Sequence, residues 1–96
     1  MIHIKMMPDY HSFPLWRMDS DNFGNINPNS LNLSQHLIKQ LTCWAKQYDD
    51  TLNLDDPLKS GFSDESAEVA FTKMGEILLE KLKMELGDDY CVILKI

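Results

Sequence analysis

Three histidines and two cysteines are the side chains of this sequence best suited to hold a metal ion or to act as nucleophiles. His3, His11 and His36 have no His or Cys three or four residues away, the spacing of ligand pairs on a helix. Cys43 and Cys91 lie far apart and match neither a zinc nor a CxxC redox spacing. No nucleophile elbow or other catalytic signature surrounds a serine. The sequence therefore predicts no cofactor, no metal site and no enzyme activity.

One segment of the sequence partly matches a calcium-binding loop. Asp19, Asp21 and Gly24 occupy positions 1, 3 and 6 of a possible EF-hand loop. Position 5 is then Phe23, and position 12 is Ser30 in place of the bidentate Glu. This segment is therefore not predicted to bind calcium.

The strongest chemical feature is an acidic segment that overlaps residues 44–62, WAKQYDDTLNLDDPLKSGF. Between residues 49 and 68 there is one base, Lys59, and there are seven acids: Asp49, Asp50, Asp55, Asp56, Asp64, Glu65 and Glu68. These 20 residues carry the whole formal charge of −6, because acids and bases balance in the remaining 76. Clustered carboxylates of this kind favour a basic partner.

The acids of this segment do not all have the same explanation. The last three lie where a second helix would begin, and acids stabilise the positive end of a helix dipole. The first four repel one another, and Asp49 and Asp50 also face the negative end of the preceding helix. Charge complementarity across an interface increases specificity and association rate. We therefore interpret Asp49, Asp50, Asp55 and Asp56 as functional, with Tyr48 and Phe62 as flanking aromatic contacts and with Asp64 and Glu65 extending the surface.

Helical periodicity predicts the first element that would position these residues. Ser34 is a suitable N-cap, because its hydroxyl can accept a hydrogen bond from a backbone N–H of the first turn. Apolar residues then recur with helical spacing at Leu37, Ile38, Leu41, Trp44, Ala45 and Tyr48. The pattern predicts a helix over residues 34–48 that stops at Asp49 and Asp50.

A second helix is predicted over residues 64–86. Its apolar stripe comprises Ala67, Ala70, Phe71, Met74, Ile77, Leu78, Leu82 and Leu86. Gly87 is a natural C′ residue, since glycine adopts the left-handed conformation that closes a helix. We expect the two stripes to meet in one core that contains Leu41, Trp44, Phe71, Leu78 and Leu82.

Strands are predicted near both ends of the chain. Residues 2–6 alternate apolar and polar side chains, and residues 10–17 could form a second strand in which Pro14 requires an edge or a bulge. Residues 18–30 are rich in Asn, Asp, Ser, Gly and Pro, which predicts a loop. Residues 90–96 are nearly all apolar, which favours a central or well-covered strand.

These elements predict one α/β (α+β) domain over residues 1–96. The order is β–β–loop–α–loop–α–β, and the two helices should pack on a small sheet formed by the N- and C-terminal strands. The C-terminal strand should lie beside an N-terminal one, in a direction that the sequence leaves open.

Composition narrows the class of partner. A charge of −6 and a pI near 4.8 disfavour nucleic acid and anionic membranes, which would repel the protein. The longest apolar runs are only a few residues, too short to cross a bilayer. We therefore expect a cytoplasmic protein whose partner is a basic protein.

Four segments resemble a family of small acidic bacterial proteins. They are FPLW at residues 13–16, GNINPNSLNLS at 24–34, WAKQYDDTLNLDDPLKSGF at 44–62 and ELGDDYCV at 85–92. The family is that of immunity proteins of contact-dependent growth inhibition and related polymorphic toxin systems. The resemblance covers about three quarters of the chain and is most specific in the central segment.

The resemblance implies a protein that binds its cognate toxin C-terminal domain in the cytosol and blocks it without catalysis. Such toxins are commonly nucleases, including ribonucleases with basic clefts, and a monomer in a 1:1 complex is expected. The acidic segment would then occlude a basic active site. The alternatives are an acidic adaptor or regulatory protein that binds another basic protein and, third, a small enzyme.

Overall fold

The structure is a computed structural model that describes residues 2–19, 22–51 and 65–95. The strands are β1 (Ile2–Met6), β2 (Leu15–Asp19), β3 (Asn22–Ile26) and β4 (Tyr90–Leu94). The helices are α1 (Gln35–Asp49) and α2 (Glu65–Leu86), and a short 3-10 helix spans Pro28–Ser30. The predicted α+β fold, with two helices on a sheet that includes both terminal strands, is confirmed.

The four strands form one mixed sheet in the order β3-β2-β1-β4. Pairing is antiparallel between β1 and β2 and between β2 and β3. β4 runs parallel to β1, with Ile2 opposite Tyr90 and Met6 opposite Leu94. The prediction that the C-terminal strand lies beside an N-terminal strand is confirmed.

The C-terminal strand was predicted to be central or well covered, and a central position is wrong. β4 is an edge strand of the sheet that the described residues form. Its apolar run has a different cause. Val92 is buried in the core and the strand packs against α2, while Ile93 on the opposite face is 54% exposed.

The second strand begins later than predicted, and a third strand was missed. β2 starts at Leu15, directly after the buried Pro14, so that Pro14 lies in the 7–14 loop. β3 occupies residues 22–26 of the predicted loop. Its sequence, NFGNI, contains Asn and Gly, which are depleted in strands, and its pairing with β2 is supported by hydrogen bonds between the Asn25 side chain and the backbone of Phe13 and Leu15.

Helix α1 begins as its capping residue predicts. The Ser34 hydroxyl accepts a hydrogen bond from the Leu37 N–H at 3.2 Å. The carboxylate of Glu85, at the far end of α2, accepts from the Ser34 N–H at 2.6 Å and from the Ser34 hydroxyl at 2.8 Å. Glu85 thus does what a glutamate three residues after the cap does in a capping box, where this chain has Leu37. This contact joins the start of α1 to the end of α2.

The face of α2 that packs on the core differs in part from the predicted stripe. Phe71, Gly75, Leu78 and Leu82 are its buried residues. Met74 and Ile77, which were predicted to be buried, are 40% and 50% exposed. The buried face therefore runs along Phe71, Gly75, Leu78 and Leu82 and leaves Met74 and Ile77 at its margin. The helix is followed by Gly87 at φ +80°, as predicted.

The core lies between the helices and one face of the sheet. All five predicted core residues are buried, namely Leu41, Trp44, Phe71, Leu78 and Leu82. The rings of Trp44 and Phe71 stack with centroids 4.5 Å apart, and the Trp44 indole N–H donates to the Phe71 carbonyl at 3.0 Å. The site described next begins where this stack reaches the end of α1.

Candidate partner-binding surface

Four of the eight predicted contact residues lie within the described part of the chain. These are Tyr48, Asp49 and Asp50 at the end of α1 and Glu65 at the start of α2. The other four, Asp55, Asp56, Phe62 and Asp64, lie outside the described residues. The structure therefore describes the acidic segment only where it overlaps the end of α1 and the start of α2.

Tyr48 is a half-buried residue that links α1 to the 7–14 loop. Its ring stacks on Tyr10 at 4.6 Å and lies 5.9 Å from the ring of Phe71. Burial raises the pKa of the Tyr48 hydroxyl above its ordinary value, and the neighbouring Tyr10 and Asp9 raise it further. Tyr48 therefore extends the core stack to the surface.

Thr51 adds a polar contact at this junction between the end of α1 and the 7–14 loop. Its hydroxyl lies 2.6 Å from the Tyr48 carbonyl, to which it donates, and 3.0 Å from the Tyr10 hydroxyl. The end of α1 and the 7–14 loop are thus joined by a ring stack and by a polar contact.

Asp49 has a structural partner that the sequence did not indicate. Its Oδ1 accepts a hydrogen bond from the backbone N–H of His11 at 2.9 Å. His11 has φ 58°, a left-handed conformation that costs a residue with a Cβ about 1 kcal/mol. The carboxylate of Asp49 therefore offsets strain in the 7–14 loop, a structural role besides the functional one that the sequence suggested.

Asp50 is an exposed acid at the end of α1. Its side chain is 68% exposed and its carboxylate lies 3.8 Å from the Lys46 ammonium, one helical turn earlier. An exposed pair at this distance contributes little to stability. Asp50 also lines a groove between the helices, together with Gln47 of α1 and Ala67 and Phe71 of α2.

The fold adds Asp9 to these acids. Asp9 is exposed, accepts from the Tyr10 N–H at 2.8 Å, and lies close enough to Tyr48 to affect its pKa. It is 40 residues from Asp49 in the chain, and the sequence indicated only that Pro8 and Asp9 end a strand. We call the described acids at this end of the molecule, Asp9, Asp49, Asp50, Glu65 and Glu68, the acidic end.

A groove of about 510 Å³ lies beside the acidic end, between the 7–14 loop and α1. We call it the loop groove. Phe13 is 45% exposed at this groove and is held by Asn25, which accepts from the Phe13 N–H at 2.8 Å and donates to its carbonyl at 2.7 Å. The sequence suggested a strand over residues 10–17 and a family resemblance at residues 13–16, and it did not indicate that Phe13 would be exposed.

Features of other functional classes are absent from the described residues. No group of three or more His, Cys, Asp or Glu side chains in residues 2–19, 22–51 and 65–95 could hold a metal ion. Neither described helix is long and apolar enough to cross a membrane. Cys43 and Cys91 are free thiols.

Comparison with protein-family models gives a match over nearly the whole chain. Residues 2–95 match the model of a family described as Serratia CdiI immunity protein-like. No curated protein matches the chain.

Proposed function

Because this chain belongs to the Serratia CdiI immunity protein-like family, we propose that it binds a cognate toxin domain in the cytoplasm and keeps it inactive. The family match over residues 2–95 is the observation that carries the proposal. The chain acts by binding and catalyses no reaction of its own. One copy binds one toxin domain.

The proposed toxin domain is a basic nuclease, with ribonucleases included. Support comes from the charge distribution, since the chain's whole formal charge lies between residues 49 and 68. The fold extends this charge with Asp9 from a different segment. A nuclease binds a polyanion, and a surface that carries several carboxylates complements the same cleft.

The proposed mechanism is occlusion. Asp49, Asp50, Asp55 and Asp56 take the place of nucleic acid phosphates, and Tyr48 and Phe62 supply apolar contacts beside them. Asp64 and Glu65 extend the charged surface onto the start of α2. Such charges accelerate encounter with a basic partner, and the effect weakens as salt screens it.

The test uses the toxin domain encoded beside the gene of this protein. Association rates are measured at low and high salt for the wild type and for the triple variant Asp50→Asn, Asp55→Asn, Asp56→Asn. Loss of three negative charges at the interface should slow association about tenfold at low salt and much less at high salt.

A matched control removes the same charge elsewhere. Glu76→Gln, Glu80→Gln and Asp88→Asn change exposed acids in the second half of α2 and after it. This control should associate nearly as fast as the wild type. If both triple variants slowed association equally, net charge alone would explain the rate. If neither variant slowed it, the interface would lie on another face of the protein.

Inhibition is tested separately from binding. An equimolar amount of the protein should abolish cleavage of RNA or DNA by the toxin domain. A toxin domain that binds this protein but, when free, cleaves no nucleic acid would contradict the nuclease proposal, while absence of any complex would contradict immunity and favour the adaptor alternative.

A further inference from the structure

The 7–14 loop is held by contacts from two separate elements, α1 and β3. Asp49 of α1 accepts from the His11 N–H, and Tyr10 stacks on Tyr48. Asn25 of β3 binds both the N–H and the carbonyl of Phe13. The backbone of Phe13 is therefore fixed while its ring remains 45% exposed. A fixed and exposed aromatic side chain loses little conformational entropy when it binds a partner.

The loop groove that this loop forms with α1 combines apolar walls with a carboxylate. Phe13 and Pro14 line it from the loop, and Thr42, Ala45 and Asp49 line it from α1. Oδ1 of Asp49 is used by His11, and a carboxylate has two oxygens that accept hydrogen bonds. Oδ2 therefore retains its capacity for a donor that enters the groove.

We propose that the loop groove receives an arginine of the toxin domain, whose guanidinium stacks on Phe13 and donates to the carboxylate of Asp49. This inference rests on the proposed function and adds a contact outside the predicted acidic segment. Arginine fits because its planar guanidinium stacks on aromatic faces and donates several hydrogen bonds to carboxylates. Charge complementarity with Asp9, Asp49 and Asp50 selects a cation over a neutral side chain.

Lys46 is the cation that lines the same groove. Its side chain is 75% exposed and its ammonium lies 3.8 Å from Asp50. Lys46 can therefore remain at the rim, directed toward Asp50, while an arginine occupies the space next to Phe13.

Asp49 has two functions in this arrangement, and two substitutions separate them. Asp49→Asn removes the charge but keeps a side-chain oxygen that can accept from the His11 N–H. Asp49→Ala removes both the charge and the acceptor. The 7–14 loop should therefore keep its conformation in Asp49→Asn, because the hydrogen bond that positions it can still form.

Affinity for the toxin domain is measured by calorimetry at physiological salt. Phe13→Ala should weaken binding about tenfold to a hundredfold, as expected for an exposed aromatic contact at the centre of an interface. Asp49→Ala should weaken it by a similar factor, and Asp49→Asn should weaken it by less than Asp49→Ala. The amide NMR signal of His11 should keep its position in Asp49→Asn and shift in Asp49→Ala.

The matched control is Met84→Ala. Met84 is 83% exposed, and it lies 19 residues after Glu65, about 28 Å along α2 from the acidic end. This variant should bind as the wild type does. Melting temperatures of all variants identify any loss of affinity that results from unfolding.

A double-mutant cycle identifies the arginine. Each surface arginine of the toxin domain is changed to Ala and paired with Phe13→Ala, and one pair should show a clearly non-additive loss of affinity. Wild-type affinity in a folded Phe13→Ala variant, or additivity for every arginine, would overturn this inference and leave the proposed function intact. Failure of the wild-type protein to bind would contradict the proposed function itself.

Discussion

At the scale of single residues, the candidate surface is built from side chains that also stabilise the fold. Tyr48 continues the Trp44 and Phe71 stack toward Tyr10, and Asp49 holds His11 in its left-handed conformation. A substitution at either position is therefore expected to change stability as well as the proposed binding. Asp50 is mostly exposed and is the described acid best suited to isolate the effect of charge.

The raised pKa of Tyr48 predicts a pH dependence of stability. The folded state binds the Tyr48 proton more tightly than the unfolded chain, whose tyrosines titrate near pH 10. The corresponding stability is fully present below about pH 10 and is lost as the pH rises through the folded-state value. Tyr48→Phe should remove this contribution.

Urea unfolding of the wild type and Tyr48→Phe at about pH 8 and pH 11 checks this prediction. The difference in free energy of unfolding between the two proteins should shift in favour of Tyr48→Phe at the higher pH. A difference that is the same at both pH values would show that Tyr48 titrates normally.

At the scale of secondary-structure elements, the two helices are joined at both ends by side chains far apart in sequence. Glu85 binds the N-cap of α1, and Trp44 of α1 donates to the Phe71 carbonyl of α2. These contacts keep the end of α1 beside the start of α2, where the acidic end lies. Rigid support of this kind lowers the entropy cost of binding.

Glu85→Ala should lower the free energy of unfolding by about 1 kcal/mol, because it removes two hydrogen bonds from an exposed helix cap. Glu76→Ala is the control, since Glu76 is an exposed acid on the same helix. Denaturant titration of both variants measures the effect. Equal stability of the two variants would show that the contact to Ser34 contributes nothing.

Substitutions at two neighbouring residues test which face of α2 is buried. Leu78 is fully buried, so Leu78→Ala should cost about 2–5 kcal/mol. Ile77 is 50% exposed, so Ile77→Ala should cost less than about 1 kcal/mol. Leu41→Ala in α1 should match Leu78→Ala. Similar melting temperatures for the variants at residues 77 and 78 would contradict the observed orientation of the helix.

At the scale of the whole molecule, the first and last strands pair with each other. β1 lies inside the sheet, and β4 lies at one edge of it. β4 pairs in parallel with β1 along five residues, and Val92 completes the core between them. Pairing between segments so far apart in the chain closes a long loop, and the contacts of β4 must offset the entropy cost of that closure. The fold that supports the acidic end therefore depends on its last strand.

Deletion of residues 90–96 should abolish cooperative unfolding, since it removes Val92 from the core and leaves β1 unpaired on one side. Thermal unfolding followed by circular dichroism measures this outcome. Ile93→Ala is the control, because Ile93 is 54% exposed and its loss leaves the backbone pairing in place. A truncated chain that still melts cooperatively would show that β4 is dispensable.

The sequence by itself determined the features that depend on neighbours within a few residues. Helical periodicity identified both helices and the five core residues, Ser34 marked the start of α1, and Gly87 marked the end of α2. Each of these signals is local, because caps and stripes involve contacts one or two helical turns apart. The segments that resemble immunity proteins indicated the same family as the match over residues 2–95.

Tertiary structure alone decided the features that depend on distant segments. β3 forms from a polar, glycine-containing segment because β2 supplies its hydrogen bonds, and β4 lies at an edge because β1 already pairs with β2. Packing on the sheet and on α1 decided which face of α2 is buried. Asp9, His11 and Phe13 joined the surface around Asp49 only because the 7–14 loop packs on α1. Local periodicity carries no information about which separate segments meet, and contacts between such segments build this surface.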